Sequence, residues 1–491
     1  MNLLGLLVAV PLGFMVAALL LRGQGRWLIL AAAPLMAGLA LGLALLPPGT
    51  TLLVGNWDLP LGILLRADGV ARLMVLAGAL VIGAIGLHAL VDPPGGKDGG
   101  AAPAETFWPL LYLMWAGANA GFLTTDLFNL YVTLEMVSLA AVALAAMGSL
   151  AAALRYFMIA MLGSLAYLLG VALLVANYNT VDVTLLAQVA RPDLATVMAL
   201  GLMTAGLLIK AALFPMHGWL PPAHAAAPAP ASALLSAIAV KLGFVILLRL
   251  WFEAFPAITV PAALHVLGGL GAAAVIYGSV QAMRQDRLKP LVAYSTVAQV
   301  GYLFLAFPLV AGAVEPAGAW AGMTLHAVAH MLAKAAMFLA AGLMLKAAAG
   351  DRIADLGGLA QAMPLTVTAF GLAAVSLMGL PPSGGFTAKF LLLSAAIDQG
   401  AFLYAAVLVV GGLLAAVYLF RALSACFAPV AGAGPDTAPR GPVTGGVQAV
   451  APLALAGLAI VMGFAGTALV EISAIAAPWA TPTAILPGAA P

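Results

Sequence analysis

Five ionisable residues lie inside long apolar segments of this sequence, where a charge is costly. They are four lysines and one glutamate: Glu135, Lys210, Lys241, Lys334 and Lys389. A charged side chain at the centre of a membrane helix costs at least about 2.5 to 3.5 kcal/mol. Residues retained at that cost are typical of proton and ion pathways, so these five are the first candidates for chemistry.

Glu135 lies about nine residues, or about 13 Å, into a predicted helix that begins at residue 127. An unpaired carboxylate at that depth would take up a proton, so we expect a lysine on a neighbouring helix to pair with it, and Lys210 is the best candidate. In such a pair, a proton that arrives on one group changes the proton affinity of the other. A static structural ion pair is the alternative interpretation.

Lys210, Lys241 and Lys389 are each expected near the middle of a helix. An apolar environment favours the uncharged form of lysine, so a lysine buried there can exchange protons. The alternative is snorkelling, in which the charged end reaches the membrane surface, as we expect for Lys346 at a helix end.

His326, His330 and Lys334 are spaced i, i+4 and i+8, which places them on one face of a helix over two turns. Histidine exchanges protons in the physiological pH range, so this row can pass protons along the helix. A metal site and passive packing are the alternatives. Two histidines on one helix need further ligands, and Glu135 is the only acid well inside a span, so no bound metal is expected. The sequence also lacks a credible phosphate-binding or dinucleotide motif, and no cofactor is expected.

Two further groups of polar residues flank these candidates. His217 and His224, in a proline-rich linker, either extend the relay or cap the loop. A polar stripe on predicted helix 10 either holds water between the charged sites or forms hydrogen bonds between helices. The stripe consists of Tyr294, Ser295, Thr296, Gln299 and Tyr302.

The composition requires a membrane around these residues. Of 491 residues, 64% are hydrophobic, and 19 Lys and Arg with 17 Asp and Glu make 7% charged. A soluble domain carries about 25% charged residues, so this chain is predicted to be an all-α integral membrane protein. The net charge of +2 excludes a polybasic nucleic-acid binder. Cys426 is the only cysteine, so a cysteine-bound iron–sulfur cluster is excluded, redox chemistry must occur elsewhere, and the chain is not an enzyme by itself.

A membrane-spanning helix needs about 20 mostly apolar residues. Charges and Pro/Gly clusters divide the chain into fourteen such helices, with water-exposed loops at 92–106, 350–358 and 431–445. The predicted helices 1 to 14 are 2–21, 27–46, 69–91, 107–124, 127–149, 155–176, 194–213, 230–252, 259–283, 289–313, 317–346, 364–396, 402–426 and 446–470.

Predicted helices 7 and 12 are broken, and each break lies near a lysine. Helix 7 runs through Lys210 into Pro215, and helix 12 is interrupted at 379–385 before Lys389. Breaks five helices apart predict two five-helix repeats, helices 4–8 and 9–13, and the odd number of helices inverts one repeat relative to the other. The predicted domains are 1–106 (helices 1–3), 107–252 (first repeat), 253–426 (second repeat) and 427–491 (helix 14 and tail).

The positions of the basic residues predict the orientation of the chain. Loops after odd-numbered helices contain eleven Lys and Arg residues, whereas the opposite side contains four. Because the more basic side faces the cytoplasm, both termini are predicted on the outer face of the cell (inner) membrane. The first apolar run lacks the basic segment of a signal peptide and is predicted to be a mature span.

Several motifs resemble the proton-translocating antiporter-like family. They are 126–131 (DLFNLY) leading to Glu135, the stretch 210–222, 288–295 (LKPLVAYS), the row that ends at Lys334, and 379–382 (GLPP) leading to Lys389. This family comprises the large membrane subunits of respiratory complex I and the A and D subunits of Mrp-type Na⁺/H⁺ antiporters. The resemblance covers nearly the whole chain, and the segment 55–68 looks most like the Mrp D subunit.

The resemblance implies an ion-translocating subunit of a multi-subunit monovalent cation/proton antiporter. Its partners would be other membrane subunits of a hetero-oligomeric complex, the lipid bilayer, H⁺ and Na⁺. The implied roles are the coupled pair of the first half-channel for Glu135 and Lys210, the connecting lysine for Lys241, the central relay for His326, His330 and Lys334, and the end of the second half-channel for Lys389. The alternatives are a proton-pumping subunit of a complex I-like or membrane-bound hydrogenase redox complex, and a standalone solute carrier.

Overall fold

Helices form nearly all of the regular structure in the computed structural model, which describes residues 2–21, 23–94, 104–348, 350–429 and 446–479. The predicted loop 431–445 and most of the predicted loop 92–106 lie outside the described residues. The helices are α1 Leu3–Leu20, α2 Ile29–Ala44, α3 Gly69–Val91, α4 Phe107–Leu123, α5 Leu127–Ala146, α6 Leu150–Tyr178, α7 Val183–Val189, α8 Leu194–Lys210, α9 Leu220–Ala226, α10 Ala229–Leu234, α11 Val240–Leu248, α12 Pro261–Met283, α13 Leu288–Ala311, α14 Ala317–Ala347, α15 Leu359–Ala362, α16 Pro364–Met378, α17 Gly384–Asp398, α18 Phe402–Ala425, α19 Gly446–Val461 and α20 Gly466–Ser473.

Carboxylates begin several of these helices. The side chain of Asp68 accepts a hydrogen bond from the Ala71 amide at 2.9 Å, and Asp126 accepts one from Asn129 at 2.6 Å. Such caps satisfy amide groups that have no partner within the helix and place a negative charge at the positive end of the helix dipole. Asp68 and Asp126 directly precede the predicted helices 69–91 and 127–149, and the predicted starts of both helices are confirmed.

Membrane-spanning helices account for most of the described residues. By length and composition ten of them can cross a membrane, or eleven if α19 and α20 count as one bent span. Three other predicted spans correspond to shorter helices: α4, α8, and the pair α16 and α17. The count of fourteen spans therefore stays a prediction, as do the two inverted repeats.

One predicted span is not continuous. The prediction of a single helix over 446–470 is wrong, because α19 and α20 meet at an angle of 83°. Gly463 lies at the bend, and a Cβ there would stand 1.8 Å from the carbonyl oxygen of Pro382. The chain turns where it packs directly on the break between α16 and α17, a tertiary contact that a hydrophobicity pattern does not reveal.

A β-hairpin and a short helix were absent from the all-α prediction. Strand β1, Thr51–Val54, pairs antiparallel with β2, Ile63–Arg66, from Thr51 opposite Arg66 to Val54 opposite Ile63. The four-residue strands are shorter than the window that a periodicity argument needs. Helix α7, seven residues long, lies between α6 and α8, where no element was predicted.

Two long helical segments form the centre of the fold. Helix α14 has 31 residues and is buried without interruption from Ala319 to Met344. Helices α10 and α11 join through a π-helical turn, Leu235–Ala239, and continue into a second, Arg249–Ala254, so that Ala229–Ala254 forms one rod in which every residue from Pro230 to Trp251 is buried. Apart from Glu135 on α5, the ionisable candidates of the sequence lie on these two segments and beside the two breaks.

Both predicted helix breaks are present. Helix α8 ends at Lys210, and regular α-helix resumes at Leu220. Helix α16 ends at Met378, Gly379 adopts a left-handed φ of +83°, and α17 begins at Gly384. Each break exposes carbonyl groups that have no partner within the helix.

Candidate functional site

Glu135 on α5 and Lys210 on α8 form an ion pair, with 2.9 Å between Lys210 Nζ and Glu135 Oε1. Lys210 Nζ also donates to Ser138 Oγ at 2.9 Å, and the Ser164 hydroxyl donates to Glu135. The predicted contact is therefore confirmed, while its role stays a prediction. The predicted placement of Lys210 in the middle of a helix is wrong, because Lys210 is the last residue of α8. A cation at that position interacts favourably with the negative end of the helix dipole.

Lys241 is fully buried on α11, directly after the π-helical turn. Its Nζ donates to the Ser236 carbonyl at 3.1 Å and contacts His330 Nδ1. These contacts exclude the snorkelling alternative. Gly243, two residues further on, has a Cα so near α8 that an added Cβ would lie 3.2 Å from Lys210 Cβ. The absence of a side chain at Gly243 therefore places the two lysine-bearing helices in close contact.

The row on α14 lies in the interior. His326 Nε2 lies 3.1 Å from the Gln299 carbonyl, and the His326 and His330 rings are 6.2 Å apart. Lys334 Nζ donates to Ser295 Oγ at 2.7 Å and to the Val292 carbonyl. The three side chains are at most 2% exposed. The predicted common face is confirmed, and α13 supplies the partners of its first and last residues.

The polar stripe on α13 forms hydrogen bonds between helices. Thr296 Oγ1 and Ser236 Oγ are 3.0 Å apart, which joins α13 to the π-helical turn before Lys241. Gln299 Nε2 donates to the Leu377 carbonyl at 2.9 Å, which joins α13 to the end of α16. Of the two interpretations of the stripe, hydrogen bonding between helices therefore applies to Thr296 and Gln299.

Lys389 on α17 forms a hydrogen bond across the break between α16 and α17. Its Nζ donates to the Leu377 carbonyl at 2.7 Å, one residue before α16 ends. It also lies 4.2 Å from the centre of the Tyr302 ring, a favourable position for a cation. The Tyr302 ring lies 5.4 Å from the His326 ring. The Tyr302 ring thus lies between Lys389 and the row of His326, His330 and Lys334 on α14.

Several buried polar atoms along this line have no hydrogen-bond partner among the described residues. Buried polar groups are normally bonded either to protein or to ordered water, so these atoms are suited to water. The atoms are Thr324 Oγ1, His326 Nδ1, His330 Nε2, Gln299 Oε1, Tyr302 Oη and Tyr418 Oη. Water at these atoms would connect the titratable groups from Lys241 to Lys389.

His217 and His224 lie between the end of α8 and α10. The His224 ring stacks on Phe338 at 5.1 Å, and the same phenyl ring lies 5.1 Å from Lys334 Nζ. The His217 ring packs on Phe214 at 5.6 Å. Both His224 ring nitrogens lack a hydrogen-bond partner within the described part of the chain, so neither caps a helix there.

A buried cluster of four charges was missed by the sequence reasoning. Arg249 lies 2.9 Å from Asp68 Oδ2 and 3.1 Å from Glu253 Oε2, and Arg66 contacts the same two carboxylates. Burial opposes ionisation of Asp68, but the guanidinium groups of Arg249 and Arg66 hold the pKa of this carboxyl below its ordinary value. The i, i+4 spacing of Arg249 and Glu253 at the end of a predicted helix was the available signal.

Metal ligation is not supported by the described ranges, in which no group of three or more His, Cys, Asp or Glu residues lies close enough to hold an ion. The site is therefore a line of buried lysines, histidines and hydroxyls, begun by one lysine–glutamate pair. Such groups can bind and release protons.

The fold and the site together define a polytopic helical membrane protein of the ion-translocating class. Residues 124–415 match the family described as NADH:quinone oxidoreductase/Mrp antiporter, transmembrane. The chain belongs to this family. The matched segment extends from before α5 into α18 and contains all seven predicted site residues.

Relatives of two kinds are similar to the chain. It is 39% identical over 444 residues, 85% of each chain, to the N subunit of the NADH-quinone oxidoreductase of Desulforudis audaxviator. It is 30% identical to the D subunit of the Na(+)/H(+) antiporter of Alkalihalophilus pseudofirmus, over 74% of this chain and 73% of the relative. A chain in the structure of the Mrp complex from Dietzia sp. DQ12-45-1b superposes with a TM-score of 0.84, at 27% identity, over 96% of this chain and 95% of that one.

Proposed function

We propose that this chain is the ion-translocating subunit of a multi-subunit monovalent cation/proton antiporter that exchanges Na⁺ for H⁺. The observation that carries the proposal is the buried line from the Lys210–Glu135 pair to Lys389. The similarity to antiporter D subunits supports the same function. The chain acts as a membrane subunit and is not an enzyme by itself.

The proposed route has three parts. Glu135 and Lys210 form the coupled pair, in which a proton on one group changes the charge that the other experiences. Lys241 connects this pair to the α14 row, since it contacts His330. Lys389 forms the far end. Without a carboxylate at hydrogen-bond distance among the described residues, Lys241, Lys334 and Lys389 rely on carbonyl, hydroxyl, imidazole and aromatic groups, which accept a neutral amine as well as a cation.

The proposed setting is the cell membrane, with both termini on the outer face. The proposed partners are other membrane subunits of the same complex, the lipid bilayer, H⁺ and Na⁺. The domains 107–252 and 253–426 remain proposed inverted repeats. Their support is the location of one broken helix in each, with a lysine beside each break.

The test is Na⁺-driven proton movement in vesicles that contain the whole complex. We expect Glu135→Ala and Lys389→Ala each to abolish transport while the complex still assembles, because each variant removes one end of the route. Glu315→Ala, which removes an exposed loop carboxylate, is the control and should transport as the unmodified complex does. Unchanged transport in either test variant would refute the role assigned to that residue.

A second candidate function is favoured by one comparison. The 39% identity to the N subunit of an NADH-quinone oxidoreductase suggests a proton-pumping membrane subunit of a redox complex. Purification from the native membrane decides between the two functions. Subunits with flavin and iron–sulfur centres that copurify with this chain would establish the redox complex. A set of membrane subunits without redox centres, together with Na⁺-driven proton movement, would establish the antiporter.

A further inference from the structure

A cavity of about 520 Å³ opens at the end of the fold where α6 ends and α8 begins. Its wall is mainly polar and includes Asn177, Tyr178 and Arg191, while Val189 of α7 and Pro60 of the hairpin loop complete it. Ligand sites usually have volumes of about 300 to 1,000 Å³, so this cavity can hold a small polar group. The line of buried lysines and histidines contributes no residue to the cavity wall.

Two exposed charges of opposite sign, Arg191 and Asp193, lie on the cavity wall. The bonded atoms of Arg191 belong to its main chain, and its guanidinium group has no partner among the described residues. Asp193 caps α8 and accepts hydrogen bonds from the Thr196 amide at 2.8 Å and from Asn177 Nδ2 at 2.9 Å. These two donors lower the pKa of the Asp193 carboxyl to about 2, so Asp193 is anionic at neutral pH. The cavity therefore offers one cation and one anion to a ligand.

The wall is held in place by Tyr178 at the end of α6. Its hydroxyl accepts a hydrogen bond from the Arg191 amide at 2.9 Å and bonds to Thr196 Oγ1 of α8. Asn179 follows with a left-handed φ of +52° and ends α6. The loop is thus bonded to both helices. A wall that is already ordered lowers the entropic cost of binding a ligand.

The cavity lies at the boundary between the membrane and water. Helix α6 has 29 residues, can span a membrane and ends at Tyr178, a residue type that is enriched at this boundary. Directly after Asp193, three apolar residues of α8 are exposed at positions i, i+3 and i+4, and they are Leu194, Val197 and Met198. A ligand with a polar end in the cavity and apolar chains along this stripe matches both surfaces.

We propose that this cavity binds the headgroup of a zwitterionic phospholipid, with the phosphate at Arg191 and the ammonium group at Asp193. A guanidinium group binds phosphate through two parallel hydrogen bonds. The primary ammonium of phosphatidylethanolamine donates hydrogen bonds to a carboxylate, whereas the quaternary ammonium of phosphatidylcholine has no N–H group to donate. The anionic phosphatidylglycerol has no positive group to place beside Asp193. The chemistry of the cavity therefore favours phosphatidylethanolamine.

The test uses the whole complex in vesicles that contain a phosphatidylethanolamine with a photoactivatable diazirine in one acyl chain. We expect the probe to label this chain within residues 175–198. Unlabelled phosphatidylethanolamine should compete more strongly than phosphatidylcholine or phosphatidylglycerol with the same acyl chains.

Two variants test the two charges. Asp193→Asn removes the negative charge and keeps the helix cap, because asparagine caps helices as well as aspartate does. Arg191→Gln removes the guanidinium group. Each variant should reduce labelling about threefold, the loss expected for one exposed ion pair. The control is Glu315→Gln, which neutralises an exposed carboxylate elsewhere and should be labelled as the unmodified chain is.

Three results would overturn the proposal. Equal labelling of both variants and the unmodified chain would show that Arg191 and Asp193 do not bind the headgroup. Equal competition by phosphatidylethanolamine and phosphatidylcholine would show that Asp193 does not recognise the ammonium group. Labelling of another subunit, with none in residues 175–198, would show that protein and not lipid covers the cavity. The inference is independent of the proposed function, because Na⁺-driven proton movement in the same vesicles is a separate measurement.

Discussion

At the scale of single residues, the buried lysines differ in the groups that hold them. Lys210 has a carboxylate partner, whereas Lys241 and Lys389 bond to main-chain carbonyls left free by a π-helical turn and by a helix end. A carbonyl accepts a hydrogen bond from a neutral amine as well as from an ammonium group. These two lysines can therefore change charge without leaving a buried partner unpaired.

This difference predicts the effect of removing one lysine. Lys241→Met should abolish Na⁺-driven proton movement without destabilising the protein, because an apolar side chain of similar volume avoids the burial of a cation. Transport in vesicles and thermal unfolding in detergent measure the two effects. Arg155→Met, which removes an exposed cation near the start of α6, is the control. Transport by Lys241→Met at the control rate would remove Lys241 from the route.

At the scale of elements, the two breaks place lysines where helices end. Lys210 terminates α8, and Lys389 bonds to the end of α16. A helix end carries about half a negative charge, so it holds a cation or a protonated amine in a membrane interior. Continuous helices would place neither lysine beside free carbonyls.

A substitution at Gly379 tests whether the break positions Lys389. It adopts a φ of +83°, and a Cβ at this position would lie 2.7 Å from Lys389 Cδ. Gly379→Ala should therefore displace Lys389 and reduce Na⁺-driven proton movement, besides costing about 1 to 2 kcal/mol of backbone strain. Gly400→Ala has the same kind of strain, with a φ of +66°, but meets no atom within 4 Å. Equal transport by the two variants would show that backbone strain alone, and not the contact with Lys389, determines the effect.

At the scale of the whole molecule, the four-charge cluster joins distant parts of the chain. Arg66 and Asp68 come from the hairpin and the start of α3, whereas Arg249 and Glu253 end the buried rod. Arg249 also donates to the Phe122 carbonyl at the end of α4 at 2.8 Å. The cluster therefore fixes the first part of the chain to the segment that carries Lys241.

Removing one residue of the four-charge cluster should lower the free energy of unfolding. Arg249→Leu leaves two carboxylates with one guanidinium in a buried position, and we expect the free energy of unfolding to fall by about 3 to 5 kcal/mol. Chemical denaturation in detergent measures this change. In the control, Arg287→Leu, the broken ion pair with Asp351 is exposed at both side chains, so a change below about 1 kcal/mol is expected. Similar values for the two variants would contradict a stabilising role for the cluster.

Most of the membrane helices and both breaks were predictable, because the cost of burying charge and the effect of proline depend on neighbouring residues. The Glu135–Lys210 contact was predictable as well, since each was a costly charge in need of a partner. The hairpin, α7 and the bend at 462–465 were not. Their residues show no period long enough to detect, and their conformations depend on contacts such as that between Gly463 and Pro382.

The sequence by itself determined that the chain is a membrane protein and predicted that its few interior charges carry the function, because the cost of a charge follows from the apolar run around it. The tertiary structure decided which of these groups meet. Lys210 and Glu135 are 75 residues apart in the chain, and Lys241 and His330 are 89 apart. Contacts at such separations depend on how helices pack, here on Gly243 between α11 and α8 and on the carbonyls exposed at two helix ends. The pattern of apolar residues along each helix does not predict which residues become neighbours in space.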